Sequence, residues 1–160
     1  MNRETFIACV EREQEAVRGF LLTLCCGNRD EADDLAQDAL VKAYLACSGF
    51  RDGGKFRSWL FKIAHNTFLS YRRSQKTHPQ PLPLWRGEEV QAEDSGEGTS
   101  DLYHALSALP PKERSAITLF YLNGYSVKEI AAITEVSQDA VKQQLSRGRG
   151  KLRTLLNIDH

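Results

Sequence analysis

The sequence predicts an all-α protein with two small helical domains, residues 1–77 and 101–160, joined by a flexible acidic linker over residues 78–100. Apolar residues recur at helical spacing on both sides of the linker, and no stretch alternates as a half-buried strand does. The linker holds three prolines and three glycines among acids and serines, a composition that does not sustain a helix. Two serine caps after residue 125 then indicate a helix-turn-helix unit.

The composition limits the classes of protein to which the chain can belong. With 160 residues, 41% of them apolar and 26% charged, the chain is typical of soluble globular proteins. No apolar run is long enough to cross a bilayer and the first residues enter a polar helical pattern, so a cytoplasmic protein without membrane insertion is predicted. The four cysteines form no CxxC pair and no zinc-ligand spacing, so no metal site and no cofactor are predicted. Buried, reduced thiols are favoured over a redox sensor.

The charges are sorted along the chain although they sum to zero. Residues 1–50 carry nine acids against five bases, whereas 51–78 carry seven bases against one acid. A second basic stretch, 142–153, has five bases and no acid, and 88–101 has six acids and no base. This order predicts two basic surfaces separated by an acidic spacer, and a different partner for the acidic first helices.

Three helices are predicted before the linker, over about 5–26, 30–47 and 56–75. Asp30 is a suitable cap for the second helix, and Asp33 falls at its third position, near the positive end of the helix dipole. The third helix combines an apolar face with bases on the other side. The residues predicted to face inward are Leu35, Ala39, Val41, Ala43 and Leu45 on the second helix, and Leu60, Ile63, Ala64 and Phe68 on the third.

Two further helices are predicted between the linker and the helix-turn-helix unit. Asp101 can cap a short helix that ends at Leu109. Pro111 suits the first turn of the next helix, which is expected to end before the Asn123-Gly124 pair.

A capping box opens the helix-turn-helix unit, with Ser126 as the cap and Glu129 three residues later. The turn covers 134–136, and Ser137 caps the second helix. Glu135 within this turn implies either a turn that avoids positive φ or one that tolerates strain.

The second helix of the unit has two different faces. Its predicted inward residues are Val141, Leu145, Leu152 and Leu156. Arg and Lys can bond guanine acceptors or phosphates, Gln can pair with adenine, and Ser reaches either. A merely solvated face is the alternative, but the capped helix, short turn and second helix occur together, which favours DNA binding. The predicted DNA-facing residues are Ser137, Gln138, Lys142, Gln143, Ser146, Arg147 and Arg149.

Two glycines lie towards the end of the same helix, Gly148 and Gly150. Each weakens a helix by about 1 kcal/mol relative to alanine. The end of this helix is therefore expected to fray in the free protein.

Three segments, in this order, resemble segments of the extracytoplasmic-function sigma factors, the smallest bacterial sigma factors. Residues 30–38 (DEADDLAQD) are similar to region 2.1–2.2, which docks on the largest polymerase subunit. Residues 56–66 (FRSWLFKIAHN), continuing to 71–73, resemble the region that opens and holds the minus-ten element. Residues from 108–114 (ALPPKER) to 152–153 resemble region 4, which reads the minus-thirty-five element. The resemblance covers nearly the whole chain.

This resemblance implies a sigma factor, not an enzyme, whose partners are core RNA polymerase, promoter DNA and an anti-sigma factor, and which is a monomer when free. No catalytic residue is assigned. Asp34, Gln37 and Asp38 are the implied polymerase-docking residues. The implied minus-ten residues are Lys62, Asn66, Arg72 and Arg73, which suit a basic track for a melted strand together with an amide for a base edge.

Some residues of these segments have simpler explanations. Capping alone accounts for Asp30 and Asp33, although it does not account for Asp34, Gln37 and Asp38. Trp59 is expected in the core, because aromatic residues at helical spacing are usually buried, and His65 is expected at the surface. The chain also departs from the family pattern at Glu135, commonly glycine, at Ala140, commonly threonine, and at Ser70, often aspartate.

Two other functions fit part of the pattern. One is a helix-turn-helix regulator that binds an operator by itself as a dimer, with residues 1–77 as a sensing domain. The other is an enzyme that binds a metal ion through Glu31, Asp33, Asp34 and Asp38, which is disfavoured because these residues share one helix and no second ligand set is present.

Overall fold

The computed structural model describes residues 1–50, 55–77 and 97–156, and within these ranges it contains helices and no strand, which confirms the all-α class. The first half has α1 (Arg3–Leu24), α2 (Arg29–Ala46) with a 3₁₀ turn (Cys47–Gly49), and α3 (Phe56–Thr77). The second half has α4 (Glu97–Ser107), α5 (Pro111–Ile117) continued by a π turn (Thr118–Leu122), α6 (Val127–Thr134) and α7 (Gln138–Leu155).

The helix starts differ from the predicted ones at three places. Asn2 caps α1, because its Oδ1 accepts a hydrogen bond of 2.8 Å from the N–H of Thr5. Asn28, not Asp30, caps α2, so the prediction for Asp30 is wrong, and Asp33 lies at the fifth helical position. Asparagine caps as well as aspartate does, and Asn28 comes first along the chain. α4 begins at Glu97, four residues before the predicted Asp101 cap, and the rest of the predicted linker, 78–96, lies outside the described residues.

The core of the first half is formed where α1, α2 and α3 pack on one another. On α2 the buried residues include Leu35, Ala39 and Ala43, as predicted, but Val41 is 57% and Leu45 74% exposed. Both were predicted to face inward, which is wrong because two residues along a helix correspond to a rotation of about 200°. The buried residues of α3 are Leu60, Phe61, Ala64, His65, Thr67 and Phe68, while Ile63 is half-buried.

The helix-turn-helix unit has the predicted caps. Ser126 Oγ accepts a hydrogen bond from the N–H of Glu129 at 3.1 Å, and Glu129 Oε1 accepts one from the N–H of Ser126 at 2.9 Å. Ser137 Oγ accepts from the N–H of Ala140 at 3.0 Å and so begins α7. Glu135 ends α6 with φ 60° and ψ 44°, so the turn is left-handed and tolerates strain.

Gly148 has a packing role that the sequence did not indicate. It is buried, and a Cβ added to it would lie 2.8 Å from Ile117 Cγ1 on α5, closer than real Cβ contacts come. Glycine therefore lets α7 lie directly on α5, and α7 continues to Leu155. At Gly150 an added Cβ would have no atom within 4 Å.

These two glycines form a matched pair for a stability test. We expect Gly148→Ala to destabilise the protein by about 1–3 kcal/mol, because overpacking outweighs the gain in helix propensity. We expect Gly150→Ala to stabilise it by up to about 1 kcal/mol. Urea unfolding followed by circular dichroism measures both. Equal effects of the two substitutions would show that α7 and α5 do not approach closely at Gly148.

The two halves share one continuous apolar core in the described residues. α3 packs against α6, and α1 packs against α5 and the π turn. The guanidinium of Arg114 on α5 is 4% exposed and joins the halves, because its Nη1 donates to the carbonyl of Leu24 at 2.8 Å. The predicted boundaries of two domains stay a prediction.

Candidate polymerase and nucleic-acid interfaces

The outer face of α2 presents the three residues predicted to dock on polymerase. Asp34, Gln37 and Asp38 are all exposed. Asp38 forms an ion pair with Lys42, with Oδ2 and Nζ 3.4 Å apart. Asp33 forms one with Arg18 of α1, with Oδ1 and Nη1 3.3 Å apart. Asp34, by contrast, is an exposed carboxylate with no partner found among the described residues.

The same face continues into an apolar surface that the sequence reasoning missed. Val41, Tyr44 and Leu45 follow the acidic residues along α2 and are 57%, 40% and 74% exposed. Helical rotation places Asp34, Asp38, Val41 and Leu45 on one side of the helix, a signal that was present in the sequence. A polar group beside exposed apolar side chains is the composition of a protein-binding surface.

Three of the four predicted minus-ten residues line one side of α3. Lys62, Asn66 and Arg73 lie within about 40° of one another around the helix axis. Arg72 lies about 80° from Lys62 in the opposite direction of rotation. Asn66 and Arg73 are exposed, and Arg73 donates to Ser70 Oγ at 3.3 Å. The Arg72 guanidinium lies 6.0 Å from the centre of the Phe68 ring. Lys62 Nζ contacts Glu135 Oε2 of the helix-turn-helix turn at 3.1 Å.

His65 is buried, and its predicted surface position is wrong. Its relative exposure is 2%, and neither ring nitrogen has a hydrogen-bond partner among the described residues. Burial lowers the pKa of His65 from 6.5 to about 4, against a smaller opposite effect of the Glu135 carboxylate. The imidazole is therefore neutral at neutral pH and gives no positive charge to the basic face of α3. Its burial depends on α3 being packed by α1, α2 and α6 together, which no local pattern reveals.

Trp59 is half-buried in an aromatic cluster beside the start of α3, so its predicted core position holds in part. Its ring centre lies 5.0 Å from that of Phe50 and 5.6 Å from that of Phe56. Such contacts hold the indole in place and position the first turn of α3.

The seven residues predicted to face DNA on the helix-turn-helix unit are all exposed, from Ser137 to Arg149. Three of them lie opposite the buried stripe formed by Val141 and Leu145, at positions 143, 146 and 147, and Lys142 lies about 80° from the centre of that stripe. Arg149 lies at the edge of this face and donates a hydrogen bond to the hydroxyl of Tyr121 at 3.1 Å. The arrangement gives α7 a polar, basic surface that fits a DNA groove.

The cysteines behave as packing residues. Cys9 and Cys47 are buried, and Cys25 and Cys26 at the end of α1 are half-buried, all as free thiols. Burial, above all other effects, raises the pKa of both Cys25 and Cys26, so both thiols stay protonated at neutral pH and are poor nucleophiles. Within the ranges that the structure covers, no group of three His, Cys, Asp or Glu residues could hold a metal ion, and no helix is long and apolar enough to span a membrane.

Comparison with known proteins places the same segments in known families. The family model of sigma-70 region 2 matches residues 9–78, and that of sigma-70 region 4 matches residues 99–152. The ECF RNA polymerase sigma factor EcfG of Rhodopseudomonas palustris (strain TIE-1) is 31% identical over 152 residues, which cover 90% of this chain and 81% of that protein. The ECF RNA polymerase sigma factor SigM of Bacillus subtilis (strain 168) is 32% identical over 143 residues, covering 86% of each chain.

The fold is also similar to that of a solved structure. The sigma factor RpoE in complex with the anti-sigma factor NepR from Bartonella quintana superposes with a TM-score of 0.82 at 28% sequence identity. The match covers 99% of this chain and 100% of that one.

Proposed function

Because this chain belongs to the extracytoplasmic-function group of the sigma-70 family, we propose that it binds core RNA polymerase through α2 and directs promoter-specific initiation through α3 and α7. The observation that carries the proposal is that α2 and α7 present exposed surfaces of different chemistry on one molecule: acidic and apolar on α2, basic and polar on α7. A regulator that binds an operator by itself needs the α7 surface but has no use for the α2 surface.

The docking surface on α2 consists of Asp34, Gln37 and Asp38, extended by Val41 and Leu45. The carboxylates attract and orient a basic partner surface. The exposed apolar side chains are buried on binding and supply binding energy. Since the described residues offer Asp34 no partner of its own, its charge is available to polymerase.

The strand-binding surface on α3 consists of Lys62, Asn66, Arg72 and Arg73. The bases hold the phosphates of the melted minus-ten strand, and Asn66 bonds a base edge. Arg72 points away from the other three, so it contacts a different part of the backbone.

The surface on α7 reads the minus-thirty-five element in the major groove. Lys142, Gln143, Ser146 and Arg147 reach base edges and phosphates, and Gln138 and Arg149 flank them. Ser137 and the first N–H groups of α7 contact a phosphate, since a helix N-terminus favours an anion. In this function residues 1–77 and 101–160 act as two domains, and the linker 78–100 lets them reach two promoter elements.

The remaining expectations follow from membership of the family. Sigma factors are regulatory initiation factors, and we propose that this one catalyses no reaction, works in the cytoplasm and is a monomer when free. The similar factor from Bartonella quintana was solved with an anti-sigma factor, which supports a protein inhibitor for this chain as well.

In vitro transcription on a pool of genomic promoter fragments tests the function. We expect core polymerase with this protein to give specific transcripts that core polymerase alone does not. Absence of such transcripts, with a folded protein and no inhibitor, contradicts the proposal, and tight operator binding without polymerase then favours the self-sufficient regulator.

Base reading by α7 is tested on the same templates. We expect Lys142→Ala and Arg147→Ala each to lose about 1–3 kcal/mol of binding free energy, and to reduce transcription mainly from promoters with an intact minus-thirty-five element. Lys112→Ala, which removes an exposed base of α5, serves as the control and is expected to have little effect. An equal loss on templates without the element would instead assign both residues to phosphate contacts.

A further inference from the structure

We propose that Tyr121, in the π turn that follows α5, belongs to the minus-thirty-five surface, and that Tyr121 and Arg149 of α7 together bind one phosphate of the DNA backbone. This inference rests on the proposed function, since it takes α7 as the helix that enters the groove. It adds to that surface a residue from outside the helix-turn-helix unit, and it assigns Arg149 to a phosphate rather than to a base edge.

Tyr121 lies at the surface in an unusually wide helical turn. The π turn covers Thr118–Leu122, and a hydrogen bond of 3.1 Å runs from the N–H of Asn123 to the carbonyl of Thr118, five residues earlier. Leu119 in the same turn is fully buried, whereas Tyr121 is 53% exposed. Turns of this kind are rare and frequently occur at functional sites, so the position of Tyr121 calls for a functional explanation.

Two contacts hold the Tyr121 side chain in place. Its ring centre lies 4.9 Å from that of Phe120, with the ring planes at 79°, which is the edge-to-face arrangement that aromatic rings favour. Phe120 is half-buried and packs against the core, so it anchors the exposed ring. The second contact is at the hydroxyl, which accepts a hydrogen bond of 3.1 Å from Arg149 Nη1.

The direction of this hydrogen bond leaves donors available on both side chains. The Tyr121 oxygen is the acceptor, because a guanidinium can only donate, so the phenolic proton stays free to bond another acceptor. A guanidinium has five N–H groups, and the bond to Tyr121 is the one found for Arg149 within the described residues. An O–H donor, several N–H donors and one positive charge therefore meet at one point of the surface. A phosphate, with its anionic oxygens, is the ligand that such a set of donors fits.

The charge of Arg149 is not neutralised by the protein. Lys151, two residues further along α7, has its Nζ 2.9 Å from Glu113 Oε1, so its charge is used internally. For Arg149 no carboxylate partner is found in the part of the chain that the structure describes. A carboxylate in the place of the Tyr121 hydroxyl would also hold the guanidinium, but it would cancel the charge that attracts a phosphate. The neutral hydroxyl orients the guanidinium and leaves its charge intact, and a side chain already held in place loses less conformational entropy on binding.

Arg149 lies on the side of α7 where the DNA backbone is expected. Seven residues along a helix correspond to a rotation of about 700° and a rise of about 10 Å, so Arg149 lies within about 20° of Lys142 and further from the N-terminus. The N-terminal residues of a recognition helix reach base edges, whereas residues towards its C-terminal end contact the backbone. Since Arg149 is in the second half of α7, Tyr121 and Arg149 are expected beside the edge of the groove, where the phosphates are.

A double-mutant cycle of Tyr121→Phe and Arg149→Ala tests the shared phosphate. Each full-length variant is bound to core polymerase, and its affinity for a fluorescently labelled promoter duplex from the transcription pool is measured by anisotropy. Phenylalanine keeps the ring and removes only the hydroxyl, so we expect Tyr121→Phe to bind about three- to ten-fold more weakly. Arg149→Ala is expected to bind about ten- to thirty-fold more weakly, because its bond to phosphate is charge-assisted.

The double variant shows whether the two side chains act together. In the Arg149→Ala background we expect Tyr121→Phe to change the affinity by less than about two-fold, because residues that share a ligand group do not act independently. Losses that simply multiply in the double variant would mean that Tyr121 and Arg149 do not bind the same phosphate, and the proposal would then be wrong.

Replacement of single phosphates distinguishes a backbone contact from a base contact. A neutral methylphosphonate is placed at one position at a time along both strands of the minus-thirty-five element. At one position we expect it to weaken binding of the unaltered protein and to abolish its advantage over Tyr121→Phe. An advantage that persists at every position would show that Tyr121 binds no phosphate. On elements with substituted bases, Tyr121→Phe should lose the same factor as on the original, because phosphate contacts carry no sequence information.

These outcomes separate the inference from the function on which it rests. If core polymerase with the unaltered protein does not bind the promoter duplex, the proposed function is wrong and this inference fails with it. If the unaltered protein binds and Tyr121→Phe binds equally well, the proposed function stands and the role of Tyr121 is wrong.

Discussion

Replacement of Arg114 by methionine is expected to lower the free energy of unfolding by about 3–5 kcal/mol, the largest stability effect that the structure predicts. The Arg114 side chain is 4% exposed, and all three guanidinium nitrogens donate hydrogen bonds to main-chain carbonyls. Nε donates to Leu106 at 2.9 Å, Nη1 to Leu24 at 2.8 Å, and Nη2 to Leu109 at 3.0 Å and Ser107 at 3.4 Å.

These carbonyls lie at or just beyond the ends of α1 and α4, where helical partners run out. The carbonyl of Leu106 keeps the N–H of Leu109 at 3.0 Å. Removing the side chain takes the guanidinium donors from the carbonyls of Leu24 and Leu109, and a buried acceptor left without a donor costs about 1–3 kcal/mol. Lysine cannot replace the guanidinium, because its single ammonium group does not reach carbonyls that lie in several directions. We therefore expect Arg114→Lys to be destabilised by an intermediate amount.

Urea unfolding measures this effect, with Lys112→Met as the control on the same helix. Lys112 is exposed, so its replacement is expected to change stability by no more than about 0.5 kcal/mol. A loss of less than about 1 kcal/mol for Arg114→Met would mean that water replaces the guanidinium and that Arg114 does not join the two halves.

Reversal of the charge at Asp34 has the largest expected effect on function. We expect Asp34→Arg to weaken binding of core polymerase by at least about 30-fold, which corresponds to the roughly 2 kcal/mol of an interface hot spot. The added positive charge would also oppose the basic partner that the acidic face attracts. The fold should be unaffected, because Asp34 is exposed and no partner for it is found within the described ranges.

Affinity for fluorescently labelled core polymerase gives the measurement, and circular dichroism checks the fold. Glu15→Arg makes the same change of charge at an exposed position of α1 and is expected to bind normally. If both variants bind core polymerase as the unaltered protein does, α2 is not the docking surface. If both lose affinity equally, the effect is one of net charge and not of a contact.

The positions of the helices follow from the sequence because their signals are local. The capping box of Ser126 and Glu129 and the cap at Ser137 involve residues within three positions of each other, and the structure has both. The sequence predicted Asp30 as the cap of α2, whereas Asn28 is the cap. The error is two residues, and it arises because asparagine and aspartate have similar capping ability. Helical rotation alone would also have placed Val41 and Leu45 outside.

By itself, the sequence determined the all-α class, the family and the exposure of the polar residues of α2 and α7, since helical periodicity and the motifs of the family both lie in continuous segments of the chain. Only the tertiary structure decided that His65 is buried, that Gly148 lies against Ile117, and that Arg114 bonds the end of α1. Only it paired Lys62 with Glu135. These contacts join residues far apart in the chain, and they exist because apolar surfaces of both halves are buried against each other. No periodicity within a helix encodes which face of another helix will cover it.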